Sequence, residues 1–173
     1  MAGTASIPRD WSELLELFGS VGIDYLVIGA YALAAHGHER YTKDLDLWLA
    51  PTATNAEKLG AVLSAFGFPE LAPTPEAWTH ERAMIQLGRE PYRIDLLNFA
   101  TGLEFAAARQ SSVTGRLGGT QVHCLDRDSL VRNKLASGRL KDFADAEAIA
   151  PERRDEIRTA LAAMLAAERK PPA

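Results

Sequence analysis

Tyr25-Leu-Val-Ile-Gly-Ala30, then Arg40-Tyr-Thr-Lys-Asp-Leu-Asp-Leu-Trp-Leu49 and later Arg93-Ile-Asp-Leu-Leu97 are the three runs that decide the fold. Tyr25 to Ile28 is a short apolar run suited to a buried strand, Gly29-Ala30 a tight exit, and Ala32 to His36 predicts a short helix. Thr42 to Leu49 reads as a second strand. Strand side chains alternate faces, so Asp44 and Asp46 project together while Leu45 and Leu47 enter the core on the other side. Two such carboxylates repel unless a cation sits between them. Hard divalent ions take these oxygens and keep other positions for water and substrate phosphates. Asp95, between Ile94 and Leu96, repeats the pattern. If its strand pairs beside the first, three carboxylates converge.

The chain has 173 residues, enough for one domain, or a compact core with a helical appendage. Its 47% hydrophobic and 24% charged fractions are those of a soluble globular protein. No apolar run reaches membrane-spanning length and Met1 to Asp10 lacks a signal-peptide pattern, so no membrane partner and a cytoplasmic location are expected. Cys124 is the single cysteine, which excludes an internal disulfide and argues against a cysteine-based zinc site. The net charge of −4 argues against an extensive nucleic-acid surface but leaves room for a local basic patch from Arg127 to Lys141.

Along the chain, Asp10 is placed to cap a first helix with Trp11, Leu14, Leu15 and Phe18 inward, and Thr54-Asn-Ala-Glu57 reads as a capping box for a second. Pro69 to Pro75 reads as a loop, with Pro69 to Thr79 as a mobile rim of the site. Met84 to Leu87 and Tyr92 to Phe99 predict a hairpin, Thr101 to Arg109 a helix, and Gly118-Gly119 a turn between two further strands. Asp126 caps a helix through Ser137, another runs from Leu140 to Ala148, and Pro151 opens a last one.

The backbone N–H groups at Gly29 and Ala30, ahead of the following helix, suit a phosphate. Arg40 and Thr42 share the Asp44 face by period two, so Arg40 either reaches a phosphate or holds Asp44 in place. Lys134 lies among Leu130, Val131 and Leu135, where a lysine can snorkel, and Lys141 with Asp145 forms an ordinary i,i+4 pair.

These runs resemble the polymerase-β-like nucleotidyltransferases: apolar-Gly-small, then Asp-apolar-Asp-apolar, then a later apolar-Asp-apolar. Arg40-Tyr-Thr-Lys-Asp-Leu-Asp-Leu and Lys134-Leu-Ala-Ser-Gly-Arg-Leu-Lys-Asp-Phe-Ala-Asp145 look like the AbiEii-type branch, which includes toxin components of toxin–antitoxin systems. The resemblance spans roughly residues 20 to 148, with Ala30 standing where many relatives carry Gly or Ser. It implies an α/β (α+β) fold: a small mixed sheet with helices on one face as a nucleotidyltransferase core over 1–125, and a helical part over 126–173 closing over the nucleotide. It further implies Mg²⁺, with Mn²⁺ serving as well, held by Asp44, Asp46 and Asp95, with Lys134 as a catalytic cation facing the triphosphate. Gly29, Ala30, Arg40, Thr42, Lys134, Arg139 and Lys141 would bind the nucleotide, while Asp142 and Asp145 match the family's second motif without an assigned role.

The expected activity moves an NMP from an NTP to an acceptor hydroxyl with release of pyrophosphate. The acceptor would be a tRNA end, otherwise a protein or an aminoglycoside-like small molecule, and an antitoxin protein is an expected partner. Two other readings are a non-catalytic nucleotide-binding or antitoxin-partner module, and a metal-dependent glycosyltransferase.

Overall fold

The computed structural model describes residues 7–168. Helix α1 (Arg9–Val21) leads into β1 (Tyr25–Val27), α2 (Gly29–Ala35), β2 (Asp44–Leu49) and α3 (Ala53–Phe66). A 3₁₀ turn at Pro69–Leu71, α4 (Pro75–His80), β3 (Met84–Leu87), β4 (Arg93–Leu97) and α5 (Phe105–Ser111) follow. The hairpin β5 (Val113–Leu117) and β6 (Thr120–Cys124) precedes α6 (Arg127–Ser137), α7 (Leu140–Ile149), a 3₁₀ turn at Pro151–Arg153 and α8 (Arg154–Glu168). The strands form one mixed six-stranded sheet in the order β3-β4-β2-β1-β6-β5. Among the described residues no helix is long and apolar enough to cross a membrane.

The central position of β2 follows from its sequence. Leu45, Leu47 and Leu49 are fully buried, and join the inner stripes of α1 (Trp11, Leu14, Leu15, Phe18) and α3 (Leu59, Val62, Leu63) in one core. Period-two alternation then turns Asp44 and Asp46 to the opposite face. Parallel pairing of β2 with β4 sets Asp46 opposite Asp95 and Asp44 opposite Arg93. Sheet register thus fixes the acids.

Three features of the amino-terminal half differ from what the sequence predicts. Helix α1 begins after Pro8, which makes no side-chain cap, so Asp10 lies inside the first turn. Thr52 rather than Thr54 caps α3, its hydroxyl accepting from the Asn55 N–H. This choice lets the buried Asn55 side chain bond the backbone of Asp24 and Ala50. Pro69 to Thr79 is no open rim, because Thr74 caps α4, with Pro75 at its first turn. Trp78 is fully buried, donating from Nε1 to the Ala50 carbonyl at 3.1 Å.

The carboxy-terminal helices follow the expected punctuation. Asp126 caps α6 by accepting from the Ser129 N–H, and Gly138 ends that helix in the left-handed conformation at φ 67°. Helix α6 then packs on α7, and α7 on α8.

Candidate active site

Asp44, Asp46 and Asp95 each offer a carboxylate oxygen within 4.8 Å of the others'. Asp95 is buried and Asp44 and Asp46 are half-buried. Burial first, then the Asp44 and Asp95 charges, push the Asp46 carboxyl up to about 6. The donors are all oxygen and mutually repulsive, which suits a hard divalent cation.

The nearest compensating charge is Arg93, which the sequence reading passed over. Its Nη2 donates to Asp44 Oδ2 at 2.7 Å and Asp95 Oδ2 at 2.9 Å, and its Nε donates to Asp95 Oδ1 at 2.8 Å. Gln86 adds a longer donation to Asp95 Oδ1 at 3.3 Å, and the Thr42 hydroxyl donates to Asp44 Oδ1 at 2.7 Å. Period two was the available signal, since Arg93 stands two residues before Asp95 on the same face.

Gly29 opens α2 at φ +65°, and a Cβ there would lie 2.1 Å from Asp46 Oδ2. Glycine is therefore needed twice, for its conformation and for the space the carboxylate occupies. Gly29→Ala is expected to displace Asp46 and weaken Mn²⁺ binding at least about tenfold, on a fold destabilised by roughly 1–2 kcal/mol. Mn²⁺ titration followed by electron paramagnetic resonance checks this, and wild-type affinity would rule it out. Ala30 faces away from this space, buried against a second cavity.

Across the cleft, Lys134 is buried and its ammonium donates to Asp142 Oδ1 at 2.8 Å and Asp145 Oδ2 at 2.9 Å. Asp142 also accepts from Arg139 Nε at 2.6 Å, and Arg40 Nε lies 3.1 Å from Asp145 Oδ1. Burial alone would raise the Asp142 carboxyl, but the hydrogen bonds from Lys134 and Arg139 hold it below its ordinary value. Two buried carboxylates thus bind one buried lysine and two arginines, tying the loop before β2 to α6 and α7. A cleft of about 660 Å³ opens between this network and the acids, and Gly29, Arg40, Thr42, Lys134, Arg139 and Lys141 all line it.

Three solved structures share this arrangement of elements. The solution structure of the antibiotic-resistance factor ANT(2'')-Ia aligns with a TM-score of 0.55 at 14% identity, over 92% of this chain and 91% of that one. The crystal structure of ANT(2'')-Ia in complex with adenylyl-2''-tobramycin gives 0.53 at 14% identity, over 91% and 96%. LnuA, a lincosamide antibiotic adenylyltransferase with lincomycin bound, gives 0.50 at 12% identity, over 83% and 97%. The chain has the nucleotidyltransferase fold. No protein-family model matches it, and no curated protein does.

Within that fold the basic stretch from Arg127 to Lys141 divides. Arg139 and Lys141 reach the cleft, whereas Arg127 donates to the Ile149 carbonyl and pairs with Glu152, and Arg132 donates to Ser129 Oγ. A second cavity of about 500 Å³ lies between α2 and the β5–β6 hairpin, and shares Arg40 and Thr42 with the first. Tyr31 and Tyr41 line it beside Ala34, Ala35 and Val122, from segments far apart in the sequence. Burial, then the Asp44 carboxylate, keep the Tyr31 phenol above its ordinary value.

Proposed function

We propose that this protein is a metal-dependent nucleotidyltransferase that moves an NMP from an NTP to an acceptor hydroxyl. The observation that carries the reading is the register of β2 on β4, which sets Asp46 opposite Asp95 with Asp44 beside them, facing a cation-lined cleft. Asp44 and Asp46 would hold one Mg²⁺, with Mn²⁺ serving as well, and Asp95 would complete a second position. The chemistry such an ion would supply there is neutralisation of triphosphate charge and a lower pKa for the acceptor hydroxyl.

In this scheme Asp95 would lower the pKa of the acceptor hydroxyl through the metal or take its proton directly. The freed oxygen attacks the α-phosphorus, the bond to the bridging oxygen breaks, and pyrophosphate departs with that electron pair. Gly29 leaves the space that Asp46 occupies, and Thr42 orients Asp44. Arg40, Arg139 and Lys141 offer positive charge to the leaving pyrophosphate. Lys134 supports them through Asp142 and Asp145, which hold Arg139 and Arg40 in place. In this scheme the described part of 1–125 carries the three acids, and the described part of 126–173 brings Lys134, Arg139 and Lys141 to the other side of the cleft; residues 1–6 and 169–173 lie outside the described residues.

The finer reading is an AbiEii-type enzyme with a tRNA end as acceptor and an antitoxin protein as partner. It is supported by the Arg40 to Leu47 run and the Lys134 to Asp145 segment, with Arg139 and Lys141 reaching the cleft. A second reading, a small-molecule acceptor, is favoured by the second cavity, which Tyr31 and Tyr41 help line and which shares Arg40 and Thr42 with the cleft.

The deciding experiment incubates the protein and Mg²⁺ with each labelled NTP in turn, offering cellular RNA, cellular protein or a small-molecule extract. Label is expected in one acceptor fraction, dependent on the divalent ion. No transfer from any NTP to any fraction, together with no thermal shift at millimolar NTP and Mg²⁺, would leave a non-catalytic module as the reading.

A further inference from the structure

We propose that Arg93 is a resident cation that fills the metal position in the free protein and gives it up when a divalent ion arrives with a triphosphate. The phosphate half of this statement rests on the nucleotidyltransferase reading. The exchange half rests on geometry alone. One guanidinium nitrogen, Arg93 Nη2, stands 2.7 Å from Asp44 Oδ2 and 2.9 Å from Asp95 Oδ2, in the gap that a cation bridging these carboxylates would fill. A divalent ion of Mg²⁺ size draws its oxygens in to about 2.0–2.1 Å, so the ion and the guanidinium cannot both occupy that gap. Positive charges so close would also repel strongly in a partly desolvated cleft.

Arg93 also has somewhere to go. Its side chain is 24% exposed, and its Nη1 lies 3.5 Å from Glu90 Oε1 at the cleft mouth. Lys43 holds the other Glu90 oxygen, Oε2, at 2.9 Å. A swing toward that rim needs no repacking of the core and brings the planar fork into the space the triphosphate would enter. Phosphate is a bidentate partner for arginine and competes well with an exposed, already paired glutamate.

Coupling follows directly. A divalent ion alone leaves Arg93 only the exposed Glu90, already paired with Lys43, whereas one that arrives with a triphosphate supplies a fresh anion that receives it. Metal and triphosphate should therefore bind with positive cooperativity, and that cooperativity should depend on Arg93.

Mn²⁺ binding, read by electron paramagnetic resonance with and without inorganic tripolyphosphate, tests this on the full chain. Arg93→Gln is expected to bind Mn²⁺ alone roughly tenfold more tightly than wild type, and to lose most of the gain that tripolyphosphate gives wild type. Arg93→Lys, a point charge unable to span both acids, is expected between the two, and keeps the test available if Arg93→Gln does not fold by circular dichroism. If both variants bind Mn²⁺ alone no better than wild type, Arg93 merely orients the carboxylates and the proposal is overturned. It is also overturned if the tripolyphosphate gain survives undiminished in both. Because occupancy rather than turnover is read, a protein that transfers no nucleotide would sink the proposed function and leave this comparison decisive.

Discussion

Asp46→Asn is expected to abolish nucleotide transfer, by on the order of 10³-fold or more, while making the metal-free protein more stable at neutral pH. The two effects have one cause. Burial and the neighbouring Asp44 and Asp95 charges push the Asp46 carboxyl from 3.8 to about 6, so its ionised form is disfavoured in the folded state. A folded-state value above the unfolded one means that the folded protein binds the extra proton between pH 4 and 6. Stability should then fall as pH rises through that window and level off above it. A shift of that size corresponds to roughly 3 kcal/mol at most, and solvent at the half-buried carboxylate reduces it to about 1–2 kcal/mol. The asparagine variant lacks this cost, and also lacks the anionic oxygen a divalent ion needs. Thermal unfolding in chelator from pH 4 to 8 checks the first half. Parallel stability–pH curves for the two proteins would rule it out. Retained transfer by the variant would remove Asp46 from the metal site.

The convergence of the three acids was legible because strand alternation is local physics. Leu45 and Leu47 must be buried, so Asp44 and Asp46 face the other way, and Asp95 obeys the same constraint between Ile94 and Leu96. The reason for Gly29 was only half legible. A glycine announces an unusual backbone, but that its missing Cβ makes room for Asp46 Oδ2 is a contact between separate elements. Arg93 carried a readable signal, period two from Asp95, yet an arginine at the start of a strand is ordinary until its partners are seen. Helix α4 was hidden for another reason. Pro75 after Thr74 marks a helix start as well as a loop, and only the burial of Trp78 tells which. In α3, both Thr52 and Thr54 could cap, and the bonds of Asn55 to Asp24 and Ala50 decide.

Lys134 is where sequence alone says least, because its partners lie eight and eleven residues away on the next helix. The residues around it suit a snorkelling lysine, and only the family resemblance implies an ammonium facing a triphosphate. The structure spends both strong contacts on Asp142 and Asp145, although the side chain also lines the cleft. Lys134→Met is therefore expected to cost about 3–5 kcal/mol of stability, since it leaves two buried carboxylates without their shared cation. Arg139 and Arg40 each touch only one of these acids from a more exposed position, so they replace little of the loss. That cost corresponds to a fall in Tm on the order of 10 °C for a chain of this size. Because the folded-state Asp142 carboxyl lies below its ordinary value, its contribution is present above about pH 4 and is lost on acidification through the folded value. Changing all three residues together, Lys134→Met with Asp142→Asn and Asp145→Asn, should recover much of the lost stability, because no buried charge is left unpaired. Differential scanning calorimetry on the single and triple variants, with transfer assayed well below each Tm, separates the two roles. A Lys134→Met protein with wild-type Tm and no transfer would show the ammonium acting on the triphosphate itself. A large drop in Tm, restored by the carboxamide partners together with some transfer, assigns Lys134 to holding α6 against α7 so that Arg40 and Arg139 face the nucleotide.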